Sequence, residues 1–324
     1  MVSGFRRLSD WNKCYPRFGS GAIIVHTMVG ISRGNLFGRL VACAATWAAA
    51  CAPICAAQSP APAQSAPRIV SLSPHITELL FAAGAGARIV GVDDASDYPP
   101  AAQQIPRLGE AAALDMEGLL RQAPSLIIVW ETGTPPRARA ELERFHLPVL
   151  VTEQRKLDDI GQALVEFGRL AGTSPVADDA ARRYRAGLAE LRARYEGRAR
   201  LKVFYQVWDR PLYTLSGEHV VSEMISLCGG DNVFAGVSTL APIVDREAVL
   251  ALNPDVILIG AAGADGERQT ADWSRFANLR AVRNQHVFTV DPSLVGRMAP
   301  RILDGVREVC SALERARGGR PRLQ

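Results

Sequence analysis

Two segments of the sequence spell one pattern: LDMEGLLRQAPSLIIVW at 114–130 and VDREAVLALNPDVILIG at 244–260. Each holds an Asp with a Glu two residues on (Asp115 and Glu117; Asp245 and Glu247), then a proline seven residues after that Glu, then an apolar run. The Asp reads as a helix N-cap, and the Glu falls in the first turn, where the helix dipole favours a carboxylate. The prolines, Pro124 and Pro254, stop the helix, and each apolar run reads as a buried strand. A second pattern repeats at a similar offset. Thr77-Glu78-Leu79 precedes Gly84 and then Gly91, while Ser222-Glu223-Met224 precedes Gly229 and then Gly236, with steps of seven residues in both places. A chain that writes its helix starts, strands and glycines twice is expected to fold as two lobes of one design.

The order of elements sets the fold class. Strands RIVSL, RIVGV, SLIIVW and PVLVT alternate with helical segments in the first half, and LKVFYQV, DVILIG and HVFTVD do so in the second. Such alternation predicts parallel βαβ units and an α/β fold. The first helix, in SPHITELLFAAGAG, is read with a Ser-Pro start, a Glu in its first turn and glycine at its end. Residues 158–197 read as one or two long helices, with Tyr184, Leu188, Leu191 and Tyr195 at helical spacing and a basic outer face that is solvated surface. A connection made of helix is stiff. The expected plan is a leader at 1–57, a linker at 58–67, a lobe at 68–157, the bridge at 158–197, a second lobe at 198–318 and a tail at 319–324.

Residues 28–57 carry Arg33 and Arg39, then an apolar stretch to Ile54 and small residues at Ala56 and Ala57. They read as a secretory signal cleaved near Ala57, with translation starting at Met28. The stretch is short for a membrane span, so an uncleaved anchor is the lesser reading, and a lipid anchor at Cys51 has a poor lipobox before it. The net charge of +4 lies in the leader: of 37 basic and 33 acidic residues, six and one fall in 1–57, leaving 31 and 32. That balance argues against nucleic acid as a partner. Four of the six cysteines also lie in the leader. The remaining two, Cys228 and Cys310, either pair, as exported thiols do, or stay as two buried free thiols.

Motifs for chemistry fail in context. GISRG at 30–34 matches a hydrolase elbow but sits in the leader. GAGARI at 84–89 follows a helix rather than a strand, and GAAGADG at 260–266 has the wrong spacing for a dinucleotide. The histidines at 75, 146, 219 and 286 have no paired metal spacing. No resident cofactor or metal is expected, and an enzyme is not.

In parallel α/β lobes, ligands collect at the carboxyl ends of strands. Trp130 ends LIIVW, Tyr98 follows IVGV, and His75 follows RIVSL; Trp208 and Tyr213 follow VFYQ, and Asp291 and Arg297 follow VFTV. Aromatic faces there suit a flat, largely apolar ligand, against the plainer reading of ordinary packing. Trp273 is expected to pack at a helix start.

The set RIVSLSPHITELLFAAG, GVDDASDYPP, LDMEGLLRQAPSLIIVW, CGGDNVF, PIVDREAVLALNP and RMAPRI resembles, in order and spacing, the cobalamin-binding periplasmic proteins of bacterial ABC importers, over about residues 67–315. The wider group also binds haem and iron–siderophores. The resemblance implies two Rossmann-like lobes joined by a long rigid α-helix, a ligand cleft between them, little closure on binding, and a Cys228–Cys310 disulfide. It implies a monomeric periplasmic protein whose ligand is cobalamin or another corrinoid, held partly by Arg297, with haem or an iron–siderophore as alternatives and a corrinoid- or metal-modifying enzyme as a further one. Haem would take His75 or Tyr98 as axial ligand. Family aromatic positions fall on Ala95, Ala111 and Ala241 here, and Asp291 stands near the family's acid. The resemblance also implies that Glu117 and Glu247 dock on arginines of the permease dimer in the inner membrane.

Overall fold

The computed structural model describes residues 66–318. The expected signal and most of the linker lie outside these residues. The first half runs β1 (Ile69–Ser71), α1 (Pro74–Ala82), β2 (Ile89–Val92), the small hairpin β3 (Gly109–Glu110) and β4 (Ala113–Leu114), α2 (Met116–Arg121), β5 (Leu126–Trp130), α3 (Pro136–Arg144) and β6 (Val149–Thr152). Two helices follow, α4 (Leu157–Ala171) and α5 (Ser174–Tyr195). The second half runs β7 (Leu201–Gln206), the hairpin β8 (Trp208–Asp209) and β9 (Leu212–Tyr213), α6 (Val220–Leu227), β10 (Gly230–Asn232), α7 (Arg246–Leu252), β11 (Val256–Gly260), α8 (Gly263–Ser274), α9 (Arg280–Arg283), β12 (Val287–Val290), α10 (Pro292–Val295) and α11 (Ile302–Ala316).

The duplication is structural. One four-stranded sheet has the order β2-β1-β5-β6, the other β10-β7-β11-β12, and every neighbouring pair is parallel. β7 matches β1, β10 matches β2, β11 matches β5 and β12 matches β6. Asp115 caps α2 by accepting from Gly118 N at 2.9 Å, and Asp245 caps α7 by accepting from Ala248 N at 2.7 Å. A left-handed residue ends each of these helices, Ala123 at φ 44° and Asn253 at φ 44°, just before the repeated prolines. Gly84 at φ 78° and Gly229 at φ 76° hold equivalent left-handed turns after α1 and α6, where a side chain would be strained.

Both sheets are covered on both faces, so the central strands β5 and β11 are continuous apolar runs rather than alternating with polar residues. Ile69, Leu126 and Ile128 point into the largest core, while Val70, Ile127 and Val129 point into a smaller one on the other face. In the second lobe Val203, Val256 and Leu258 join the same largest core, and Phe204, Ile257 and Ile259 face a separate cluster with Trp273. The largest core is therefore continuous between the lobes. α5 makes it so: it packs on α1 and α4 to one side and on α6 and α11 to the other. Its Tyr184, Leu188 and Leu191 are buried, and Arg182, Arg183, Arg192 and Arg194 stand on its exposed side.

Two local expectations change. α1 starts at Pro74, so Glu78 lies beyond its first turn, which holds no acid, and its side chain is buried. Trp273 sits in the last turn of α8 rather than at a helix start, donating from Nε1 to Gln206 Oε1 at 2.7 Å. The segment after VFYQ forms the β8–β9 hairpin.

Candidate functional site

The carboxyl end of the first sheet gathers Trp130, His75 and the loop that carries Tyr98. Trp130 ends β5 and is half-buried. Its indole Nε1 donates to Glu153 Oε1 at 3.2 Å, and its ring lies over Gly133, where any Cβ would collide with it. His75, near the start of α1, meets the Trp130 ring edge-on with centroids 5.1 Å apart. Its Nδ1 hydrogen-bonds Ser73 Oγ at 2.7 Å, while its Nε2 is buried without a partner. The 93–98 loop is pinned from beneath, because Arg107 donates to the carbonyls of Asp93, Asp94 and Ser96.

Burial, with the nearby Arg297 guanidinium, lowers the His75 imidazole from 6.5 to about 4, and burial alone lowers His219 to about 4. Both rings are thus neutral in the folded state at neutral pH. A group whose folded pKa is depressed contributes stability fully above its unfolded pKa and loses it as pH falls through the folded one. Stability should therefore fall between pH 6.5 and about 4. His75→Gln should flatten this acid limb by on the order of 3 kcal/mol. Urea unfolding across that pH range checks it; an unchanged slope would show that His75 does not drive the loss.

Arg297 and Arg301 reach this end from the second lobe. Arg297 Nη1 lies 3.1 Å from Glu78 Oε1 and 2.5 Å from Asp97 Oδ1, and Arg301 forks onto Glu78 at 2.9 and 2.8 Å. The Arg301 guanidinium also lies 3.7 Å over the Tyr98 ring, a cation–π contact. Arg297 holds the Asp97 carboxyl below its usual range. The Arg297 head group is thus shared between two carboxylates.

The other expected residues stand elsewhere. Trp208 and Tyr213 are directly paired across the β8–β9 hairpin, and Tyr213 also bridges to Ile243. Residues paired in this way share a face, so Trp208, Tyr213 and Ile243 form one apolar ladder. Trp208 is 56% exposed and Ile243 60%, a large open apolar surface. Asp291 caps α10, accepting from Ser293 N at 2.8 Å and Ser293 Oγ at 2.7 Å, and lines a cavity of about 520 Å³ with Arg307, Glu308 and Arg315. Sequence reading missed Glu78, Asp97, Arg301, Glu153 and Ile243. For Glu78 a signal existed, since it belongs to the second repeat.

Glu117 and Glu247 stand in the first turns of α2 and α7 and are exposed. Glu117 pairs with Arg121 at 2.6 Å; Ala251 occupies the equivalent place beside Glu247. Cys228, at the end of α6, and Cys310, on α11, form a disulfide with Cα atoms 4.8 Å apart. Among the described residues, no group of three metal-ligating side chains occurs and no helix is long and apolar enough to cross a membrane.

Two duplicated parallel α/β lobes on a shared helix, with aromatic residues at strand ends, have the architecture of a two-lobed ligand-binding protein. The periplasmic binding protein family model matches residues 69–294, and the chain belongs to that family. It is 35% identical over 249 residues to a vitamin B12-binding protein of Vibrio cholerae serotype O1, covering 77% of this chain and 90% of the relative. It is 32% identical over 251 residues to a vitamin B12-binding protein of Pectobacterium atrosepticum, covering 76% and 88%. Among solved structures it superposes on the periplasmic vitamin B12-binding protein of Vibrio cholerae with a TM-score of 0.72 at 35% identity, covering 78% of this chain and 98% of that one. A periplasmic heme-binding protein of Roseiflexus sp. RS-1 gives a TM-score of 0.67 at 27% identity, covering 78% and 99%.

Proposed function

We propose that this protein captures cobalamin or a related corrinoid in the periplasm and delivers it, without chemistry, to an ABC permease in the inner membrane. Membership of a periplasmic binding protein family places the chain among importer receptors, which take a small-molecule ligand and serve a permease. The observation that carries the ligand is the 35% identity to a vitamin B12-binding protein over nearly the whole described region. The aromatic set supports it: Trp130 and Tyr98 on one lobe, Trp208 and Tyr213 on the other, suit the faces of a corrin ring. His75 supports Trp130 from behind. Arg297, with Asp97, offers polar contact at the rim, and Asp291 is the weakest member of the set because its carboxylate is used as a cap. In this reading Glu117 and Glu247 are the docking pair for the two subunits of the permease, the receptor acts as a monomer, and a signal at 28–57 directs export.

Haem is the second reading, favoured by the 27% identity to a heme-binding protein. Of its expected axial ligands, His75 fits iron poorly, being buried with Nδ1 on Ser73, whereas Tyr98 is exposed and remains the candidate of this reading.

Calorimetric titration of the purified exported protein with cyanocobalamin, haemin and ferric siderophores decides between them. Cyanocobalamin should bind with low-micromolar affinity or better, and Trp130→Ala should weaken it about 10–100-fold, the loss of one aromatic anchor. No heat with cyanocobalamin, or tighter binding of haemin, would defeat the corrinoid reading.

A further inference from the structure

The glutamates of the second repeat, Glu78 on α1 and Glu223 on α6, hold equivalent places in the two lobes, and each reaches across to the other lobe. Glu78 accepts from Arg301 Nε at 2.9 Å and Nη2 at 2.8 Å, and from Arg297 Nη1 at 3.1 Å. Both arginines stand in the segment that leads from β12 into α11. Glu223 Oε2 accepts from the backbone N of Leu157, the first residue of α4, at 2.8 Å, and its Oε1 from Arg192 of α5 at 3.1 Å. Arg192 also forks onto Asp158, the second residue of α4, at 3.0 and 2.9 Å. α4 follows the last strand of the first sheet as α11 follows the last strand of the second. Each lobe's glutamate thus holds the entry to the other lobe's closing helix.

We propose that Glu78 and Glu223 are a reciprocal clamp that fixes the separation of the lobes before any ligand arrives, and so are positioning residues for the cleft. The pairings are charge-assisted, and the one to Leu157 satisfies an N–H that a helix start leaves without an internal partner. Arg297 and Arg301 have side chains only 18% and 25% exposed, so their positions are set by the acid they share. Through the same guanidinium groups the clamp reaches the site: Arg301 covers Tyr98 and Arg297 holds Asp97. A cleft held at one width needs no domain closure, and a preorganised site loses less on binding. Its link to the ligand rests on the corrinoid reading; the clamp itself does not.

The test places spin labels at Ala140→Cys on α3 and Ala271→Cys on α8, exposed sites in opposite lobes, and measures their separation by pulsed electron resonance without ligand. The unsubstituted clamp should give one narrow distribution that cyanocobalamin leaves in place. Glu78→Gln and Glu223→Gln should each broaden it, and the pair should broaden it further. Cyanocobalamin affinity should fall about tenfold in the double variant at a temperature where it is fully folded. If Glu78→Gln does not fold, Arg301→Met and Glu223→Gln carry the same comparison. Distances identical to the unsubstituted protein, with only the melting temperature lowered, would reduce both glutamates to ordinary stabilising contacts and overturn the proposal. Broadened distances in a protein that binds no cyanocobalamin even when unsubstituted would support the clamp and defeat the ligand reading alone.

Discussion

Replacing Cys228 and Cys310 together with alanine should lower the free energy of unfolding by about 4.5 kcal/mol, the chain-entropy value for a loop of this length. The crosslink joins residues 82 apart in sequence, and both side chains are fully buried. Alanine is the cleaner substitution, because a serine hydroxyl at either place would be buried without water. In a domain of this size the loss corresponds to a fall of roughly 10–15 °C in melting temperature. The effect should extend beyond global stability. The bridge ties α6, which carries Glu223, to α11, at whose entry Arg301 stands, so it braces the second lobe where both halves of the clamp attach. Urea unfolding of the oxidised protein and the double variant, side by side, measures the difference. Equal midpoints would mean that packing of α6 on α11 suffices without the bond.

How much of this was legible in the sequence depends on whether the signal was local. The doubled N-caps at Asp115 and Asp245, the glycines at 84 and 229 and the apolar strands all report on their own neighbourhood, and the structure has each in its expected element. Periodicity also found the buried face of α5. Glu78 shows where local reading ends. As a letter near a helix start it looked like a dipole contact; its partners, Arg297 and Arg301, lie more than 200 residues away, and no spacing rule links them. The same holds for Trp130, whose orientation depends on Glu153 and on the missing side chain of Gly133. Arg297 was placed among the site residues because it follows a strand end; its pairing with Glu78 and Asp97 had no local signal. The apolar ladder of Trp208, Tyr213 and Ile243 was half visible: the first two lie five residues apart, whereas Ile243 joins them only through a tertiary bridge. Trp273 was assigned to the wrong end of its helix because α8 starts within a glycine-rich stretch that reads as loop.

Cells producing the Glu117→Ala, Glu247→Ala double variant should lose uptake of cyanocobalamin, while the purified variant binds it as before. Both acids sit on exposed first turns, capped by Asp115 and Asp245, so neither substitution empties a core or strands a buried charge. Their effect on folding should stay within about 0.5 kcal/mol. In a docking role each carboxylate faces a permease arginine, and losing one partner of such a desolvated pair costs about 2–5 kcal/mol. Two such losses amount to about a thousandfold or more in docking strength, which is why the double variant should fail outright. The lobes should not contribute equally. Glu117 is already bound to Arg121, whereas the matching place beside Glu247 is Ala251. Docking through the first lobe must open that pair and bring Arg121 near the partner's arginine, so Glu247→Ala should impair uptake more than Glu117→Ala, and Arg121→Ala should strengthen docking. Uptake of radiolabelled cyanocobalamin, normalised to receptor level and compared with calorimetry on the same variants, separates the possibilities. A variant with weakened ligand affinity but unchanged uptake per bound ligand would make these carboxylates helix-start residues and nothing more.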